Sequence, residues 1–227
     1  MTAPRVVGLD LSLSSTGIAF PNGHTGTIGR SLAKDATTAA RIDRLVDLRD
    51  RLTDTCRRRC SCGDTGWVED EGWQPDDPRS WRGERSEGDG LVPCGFCGDW
   101  NLGPEEHVEG IDLTVIEGFS FGSPQGATEA GGLGWIIRLA LHEHSIPFAI
   151  VAPATLKKFA TGKGNAGKDD MKLAAQSRLG VTFTGTGSGD RCDARWLQEM
   201  GLHHLGAPTV ELPAVNLSAL AKVEWPT

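Results

Sequence analysis

The chain has 227 residues and a formal net charge of −7, and 38% of its residues are hydrophobic. That composition is enough for one sizeable core with an appended module. No run of about 18 apolar residues is present, so the sequence predicts no membrane-spanning helix, and the N-terminus lacks the features of a secretory signal. A cytoplasmic location is therefore the default expectation.

The acidic charge is concentrated in one segment. Residues 63–112 hold 14 Asp and Glu against three Arg, a net of −11, so the rest of the chain carries 20 Lys and Arg against 16 Asp and Glu, a net of +4. The body of the protein is therefore mildly basic. This charge permits a polyanionic partner such as nucleic acid without requiring one.

The first predicted elements are two strands joined by a tight Ser/Thr/Gly turn. Val6–Leu9 has the pattern of a buried strand that ends at Asp10, and the second strand covers Gly17–Phe20. A carboxylate at the end of a buried strand needs a partner to stay ionised, because burial favours its neutral form. Asp10 is either a turn-capping acid or the first ligand of a metal site, and this stretch alone leaves both interpretations open.

A third short strand is expected within Gly23–Ile28, followed by an amphipathic helix over Thr37–Thr53 with Asp35 or Thr37 as its N-cap. The spacing of apolar residues predicts that this helix covers the sheet with one face. The predicted buried face holds Ile42, Leu45, Val46, Arg49 and Leu52.

Residues 56–110 form an aperiodic segment that is rich in Gly, Pro, Trp and acidic residues and holds five of the six cysteines. Two short cysteine pairs separated by a long loop are typical of a structural, zinc-ribbon-like Zn²⁺ site, in which four thiolates leave no open position. Cys56 offers an alternative pair with Cys60. The other interpretation is a set of free thiols in an acidic, disordered loop. The predicted zinc ligands are Cys60, Cys62, Cys94 and Cys97.

The segment Ile111–Phe121 returns to strand character, and its apolar run ends at Glu117. Taken alone, a Glu in this position is usually a solvated charge at the rim of a sheet. Together with Asp10 it has a second interpretation, because two strand-end carboxylates in one sheet can converge on one cation.

A helix, a strand and a short basic helix follow. They are predicted over Gly126–His144, Ile146–Val151 and Leu156–Ala160, and the short helix carries Lys157 and Lys158. The long helix is expected to bury Leu133, Ile136, Ile137, Ala140 and Leu141.

Residues 162–168, GKGNAGK, match the first seven positions of a phosphate-binding P-loop. Two features argue against a nucleotide site: Asp169 stands where the motif needs Ser or Thr, and a Lys-rich helix rather than a strand precedes the loop. We interpret the segment as a flexible basic loop that opens a helix over Asp169–Leu179. Lys163 and Lys168 could then meet a phosphodiester. A plain solvated loop is the alternative.

The last long helix is predicted to start at Asp190 and to end near Leu205. Asp190 and Asp193 are three residues apart and so lie on one side of its first turn. They are either a cap and a first-turn acid, or two further metal ligands. Residues 207–227 have the composition of a C-terminal extension that packs on the body, with no chemistry of their own.

Four acids therefore stand at element ends, namely Asp10, Glu117, Asp190 and Asp193. Hard oxygen ligands favour Mg²⁺ or Mn²⁺. Such a cluster can hold two ions about 3.5–4 Å apart, one to activate water and one to stabilise the leaving oxygen of a phosphodiester. The element order of three strands, helix, strand, helix, strand and helix matches a ribonuclease-H-like α/β fold with a mixed sheet flanked by helices.

At four places the chain resembles the RuvC-type Holliday-junction resolvases, particularly divergent versions of the kind that bacteriophages carry. The matching pieces are Gly8-Leu9-Asp10 with Ser12 and Thr16-Gly17, then Val115-Ile116-Glu117, then Ala152-Pro153 with the 162–168 loop, and finally Asp190-x-x-Asp193-Ala194. The resemblance implies a nuclease core of residues 1–55 and 111–206, interrupted by a cysteine-rich insert of residues 56–110 and followed by an extension of residues 207–227. The usual family lacks this insert.

The resemblance also implies a function. It implies a Mg²⁺- or Mn²⁺-dependent, structure-selective endodeoxyribonuclease that hydrolyses Holliday junctions or other branched DNA, acts as a homodimer and, if a phage encodes it, works in the host cytoplasm. Its carboxylates would be Asp10, Glu117, Asp190 and Asp193, with Lys168 near the scissile phosphate. The predicted DNA contacts are Lys157, Lys158, Lys163, Phe119 and Phe121, and the acidic insert suggests a further protein contact.

Two other functions fit parts of the pattern. One is a non-catalytic, zinc-containing DNA-binding or scaffold protein, which would leave four convergent acids without a purpose. The other is a nucleotide-binding protein of the actin and sugar-kinase type, which shares the strand–turn–strand start with an Asp. That second class needs two related domains, and 227 residues are too few for both domains and the insert.

Overall fold

The computed structural model describes residues 3–29, 31–57, 67–69, 91–93, 110–118 and 127–226. Its strands are β1 (Val6–Asp10), β2 (Thr16–Ala19), β3 (Thr25–Ile28), β4 (Trp67–Glu69), β5 (Leu91–Pro93), β6 (Leu113–Glu117) and β7 (Phe148–Val151). Its α-helices are α1 (Thr38–Arg57), α2 (Ala127–Glu143), α3 (Pro153–Thr161), α4 (Lys168–Ala174), α5 (Ser188–His204) and α6 (Ala214–Leu217). A π-helical turn, Ala175–Leu179, extends α4, and a 3₁₀ turn, Leu220–Lys222, follows α6.

Five of these strands form one mixed sheet in the order β3-β2-β1-β6-β7. The first three strands are antiparallel neighbours, whereas β6 and β7 run parallel to β1. This arrangement is consistent with the ribonuclease-H-like α/β fold expected from the element order. Strands β4 and β5, in the cysteine-rich segment, pair antiparallel as a separate two-stranded sheet.

Helices cover both faces of the central sheet, which explains why β1, β2 and β6 are buried along almost their whole length. Along β1, Val6 faces a core shared with α3, α4 and α5, while Val7 and Leu9 face a core shared with α1 and α2. The same alternation divides Val115 from Ile116 on β6. Burial on both faces leaves the strand ends as the places where these strands can present polar side chains.

The buried face of α1 differs from the predicted one. Ile42 and Val46 are 54% and 40% exposed, whereas Leu48 is fully buried. The inward stripe consists of Arg44, Leu48, Leu52 and Cys56 at intervals of four residues. Arg44 can occupy a buried position because its guanidinium lies 2.7 Å from the carboxylate of Glu129 on α2. The prediction for Leu52 is therefore confirmed, whereas Ile42 and Val46 were assigned to the wrong face.

Most other elements lie close to their predicted ranges. Helix α2 buries Leu133, Ile137, Ala140 and Leu141, as predicted, and Ile136 is half-buried. The N-cap of α1 is Thr37, whose hydroxyl accepts the backbone N–H of Ala40 at 3.2 Å. Within the part of the chain that the structure describes, no helix combines the length and apolar character needed to cross a membrane.

Candidate metal centre

Three carboxylates meet at one edge of the central sheet. Asp10 ends β1, Glu117 ends β6, and Asp193 lies on α5, and each offers one oxygen within 4.8 Å of the others. Because β1 and β6 are parallel neighbours, with Leu9 paired to Ile116, their terminal acids leave the sheet at the same edge. The convergence of Asp10 and Glu117 therefore follows directly from strand order.

Asp193 joins this pair because the backbone of α5 packs directly against the backbone of the sheet. A Cβ at Gly8 would stand 2.0 Å from the carbonyl oxygen of Ala194, and one at Gly17 would stand 2.0 Å from that of Asp190. Only glycine leaves room for such an approach. Glycines on two neighbouring strands therefore let the first turns of α5 lie directly over β1 and β2.

Further along α5, a buried glutamine also binds this helix to the sheet. The side-chain amide of Gln198 donates hydrogen bonds to the backbone carbonyls of Val6, at 3.1 Å, and of Phe20. These carbonyls belong to β1 and to the residue that follows β2. The contact fixes the position of α5 along the strands and so the height at which Asp193 meets the strand ends.

The cluster is electrostatically costly in the absence of a cation. Burial raises the pKa of Asp10 well above its usual value, and the neighbouring charges of Glu117 and Asp190 raise it further. Burial likewise raises the pKa of Glu117, and a hydrogen bond with Asp10 opposes that rise. Burial and the charge of Asp10 raise the pKa of Asp193 from 3.8 to about 7. Burial and like charge therefore favour the neutral forms of these carboxyl groups, and a bound cation would favour the ionised forms.

Two lysines moderate this repulsion. The positive charge of Lys168, the first residue of α4, lowers the pKa of Asp10, Glu117 and Asp193, and that of Lys157 on α3 lowers the last two. The ammonium of Lys168 would lie 3.6 Å from a Cβ at Gly189, so its side chain passes over the start of α5. An ammonium group and three carboxylates thus lie close enough to interact electrostatically.

Asp190 is the predicted ligand that lies outside the group of three. Its carboxylate is absent from the set of oxygens within 4.8 Å, yet its charge raises the pKa of both Asp10 and Asp193. Its backbone carbonyl is the atom that approaches Gly17. Asp190 is therefore close enough to add negative charge to the site.

The other predicted residues have separate positions. Lys157 and Lys158 are half-buried on α3, and Lys163 is exposed in the loop between α3 and α4. The helix α3 precedes that loop, in agreement with our interpretation that it is not a P-loop. The predictions for Phe119, Phe121 and the zinc ligands Cys60, Cys62, Cys94 and Cys97 lie outside the described residues.

Cys56 is described, and it belongs to the core. It lies on α1 with 1% of its surface exposed, and burial raises the pKa of its thiol to about 12. Zinc binds the thiolate, so a thiol held in its protonated form among apolar side chains is a poor ligand. This position argues against Cys56 as the alternative partner of Cys60.

One contact near the site has no counterpart in the sequence analysis. The ammonium of Lys172 on α4 donates a hydrogen bond of 2.8 Å to the hydroxyl of Ser188, the first residue of α5. It joins the helix that carries Lys168 to the helix that carries Asp193. The only indication of this contact in the sequence is the spacing of Lys168 and Lys172, which places them one turn apart on one side of α4.

No protein-family model matches the chain, and no curated protein sequence does so. Among solved structures, one similar to this chain is the Thermus thermophilus RuvC structure, with 13% sequence identity and a TM-score of 0.48 over 89% of this chain and 97% of that one. Another is T. thermophilus RuvC in complex with a Holliday junction substrate, with 11% identity and a TM-score of 0.47 over 92% of this chain and 99% of that one.

Proposed function

We propose that the protein is a metal-dependent endodeoxyribonuclease that hydrolyses phosphodiesters in Holliday junctions or other branched DNA. The observation that carries the proposal is the convergence of Asp10, Glu117 and Asp193 at one sheet edge, with the charge of Lys168 directed at all three. A structural role does not account for three half-buried acids that lie so close together and whose pKa values burial raises.

The donor set fits a hard divalent cation. All three groups offer carboxylate oxygens, which Mg²⁺ and Mn²⁺ prefer. Asp190, whose charge acts on Asp193 from outside the group of three, would be the fourth carboxylate of a site for two ions. Ions held there would supply activation of water and stabilisation of the leaving oxygen of a phosphodiester. Because burial raises the pKa values of these acids, cation binding would compete with protonation and should strengthen as pH rises.

The remaining residues of the site have positioning roles in this proposal. Lys168 would hold a non-bridging oxygen of the scissile phosphate, because its ammonium already faces the carboxylates. Lys157, Lys158 and Lys163 would contact the DNA backbone on either side. Their contribution is independent of sequence, so selectivity would come from the shape of the branch.

The substrate class and the partners rest on the sequence resemblance. Branched DNA as substrate, a homodimer with two sites, Phe119 or Phe121 against a base, and a structural Zn²⁺ on Cys60, Cys62, Cys94 and Cys97 are parts of the same proposal, and each needs its own test. The host cytoplasm as the place of action belongs with them.

A cleavage assay tests the function. Purified protein is incubated with four-way junction, flap, replication-fork and linear duplex DNA, with Mg²⁺, Mn²⁺ or EDTA. We expect metal-dependent cutting of the branched substrates. Asp10→Asn should reduce the rate at least about 10³-fold while leaving junction binding largely intact. Cleavage by Asp10→Asn at the wild-type rate, or equal cutting of linear duplex, would contradict the assignment.

A further inference from the structure

The C-terminal segment, residues 207–226, is joined to the body by buried contacts rather than by surface packing alone. The carboxylate of Glu199 on α5 accepts the backbone N–H of Thr209 at 2.8 Å. Further along, Leu212, Ala219 and Val223 belong to the core that surrounds Phe159 and Trp196. The segment returns from the end of α5 toward α3, the helix that leads into the basic loop.

One side chain of this segment binds the end of α3. Asn216 is 1% exposed, and its side-chain amide donates a hydrogen bond of 2.6 Å to the backbone carbonyl of Phe159. Phe159 lies in the last turn of α3, where carbonyl groups have no partner within the helix. Asn216 therefore caps α3 from a distant part of the chain.

The capped turn leads directly into the loop of residues 162–167. Gly162 ends α3 with a φ of 83° and donates its N–H to the carbonyl of Lys158 at 2.8 Å. A Cβ at Gly162 would lie 3.7 Å from Asn216 Oδ1 and equally far from a methyl of Val215, so the turn rests against α6. The hydroxyl of Thr161 then accepts the N–H of Lys163 at 3.1 Å.

The remainder of the loop, residues 164–167, also contacts neighbouring groups. A Cβ at Gly164 would stand 3.1 Å from the carbonyl oxygen of Ala154, and Ala166 is buried. The backbone N–H of Gly167 donates to the carboxylate of Asp170 at 2.9 Å, which secures the start of α4. The loop that carries Lys163 thus has a defined path, and Asn216 binds the end of the helix from which it departs.

We propose that Asn216 is a positioning residue that orders the basic loop so that Lys163 can receive a DNA phosphate. This inference rests on the proposed nuclease function, since it assigns the C-terminal segment a part in binding the substrate. An ordered loop binds at lower cost because less backbone entropy is lost when the phosphate arrives. The C-terminal segment would then contribute to DNA binding, although none of its own residues lies in the basic loop.

The first experiment measures the order of the loop without DNA. Trypsin cleaves after Lys163, and the rate of that cut, followed by mass spectrometry, reports how often the loop opens. We expect Asn216→Ala to accelerate it about five- to tenfold. Asn216→Asp keeps the size but loses the N–H donor, so it should do the same. Glu211→Ala, an exposed position of the same segment, is the control and should match the wild type.

The second experiment measures the effect on the substrate. With junction DNA, Asn216→Ala should raise KM about five- to tenfold and leave kcat within about twofold, because the carboxylates are not disturbed. In a Lys163→Gln background the same substitution should add little, since the loop has lost the group that Asn216 positions. Additive effects of the two substitutions, or an unchanged cut after Lys163, would overturn the proposal.

These outcomes separate this inference from the proposed function. If the wild type neither binds nor cuts branched DNA, the nuclease assignment fails and the role of the loop in DNA binding fails with it. If the wild type cuts DNA and Asn216→Ala changes kcat instead of KM, the nuclease assignment stands and the positioning role is wrong. Thermal unfolding of each variant confirms that it is folded before either assay.

Discussion

Two of the three acids on helix α5 lie under opposite electrostatic conditions. Near its start, Asp193 lies beside two other carboxylates, and its pKa is raised to about 7. Two turns later, Glu199 is fully buried, yet it lies 3.0 Å from the guanidinium of Arg195 and also accepts hydrogen bonds from the hydroxyl and N–H of Thr209. The protein can therefore satisfy a buried carboxylate with its own groups.

The difference between the two acids separates a structural carboxylate from one that indicates a functional site. Glu199 stabilises structure, because its partners come from α5 and from the C-terminal segment that it anchors. Asp193 is placed where the fold adds negative charge instead of removing it. Such an arrangement reduces stability and persists only with a cation or with a function that needs it. Three predictions test this contrast.

The largest expected effect on stability is at Glu199, the carboxylate that has partners within the protein. Glu199→Ala removes the partner of Arg195, which is 6% exposed, and leaves a buried cation without compensation. We expect a loss of about 3–5 kcal/mol in the free energy of unfolding, measured by urea denaturation. Glu211→Ala, an exposed acid nearby, is the matched control. A loss below about 1 kcal/mol at Glu199 would mean that the network does not anchor the C-terminal segment.

The next effect concerns the approach of α5 to the sheet. Gly8→Ala places a methyl group 2.0 Å from the carbonyl oxygen of Ala194, so the helix must move. We expect destabilisation by about 1–3 kcal/mol and, because Asp193 moves with the helix, a large loss of metal-dependent cleavage. Gly131→Ala on α2, where a Cβ meets no atom within 4 Å, is the control and should retain both properties. Full activity in Gly8→Ala would show that the close approach is not needed.

The third effect is a gain of stability rather than a loss. Between pH 3.8 and about 7 the folded protein holds the proton of Asp193 more tightly than the unfolded chain does, so metal-free stability should fall as pH rises through that range. Asp193→Asn should remove part of this dependence and raise stability in EDTA at pH 7.5 by about 1–3 kcal/mol.

Thermal unfolding in EDTA at pH 5 and pH 7.5, with and without added Mg²⁺, measures this prediction. Mg²⁺ should raise the Tm of the wild type at pH 7.5 and have much less effect on Asp193→Asn, because the variant lacks one of the three converging oxygens. A wild-type Tm that rises steadily with pH in EDTA would show that the cluster is not under strain.

The sequence by itself determined the element order and two members of the site. Asp10 and Glu117 are recognisable because each ends a run of buried β-branched and aliphatic residues, and a carboxylate there needs a partner. The parallel pairing of their strands then brings them together. These signals are local, since each depends on a few consecutive residues and on the period of a strand.

Only the tertiary structure decided the remaining features, because they depend on contacts between distant parts of the chain. Spacing treats Asp190 and Asp193 alike, but the approach of α5 to Gly8 and Gly17 brings Asp193 into the group of three. The ion pair with Glu129 allows Arg44 to lie on the inward face of α1, where the apolar pattern predicted Ile42 and Val46. The bond from Asn216 to the carbonyl of Phe159 spans 57 residues of sequence, so no local pattern could indicate it.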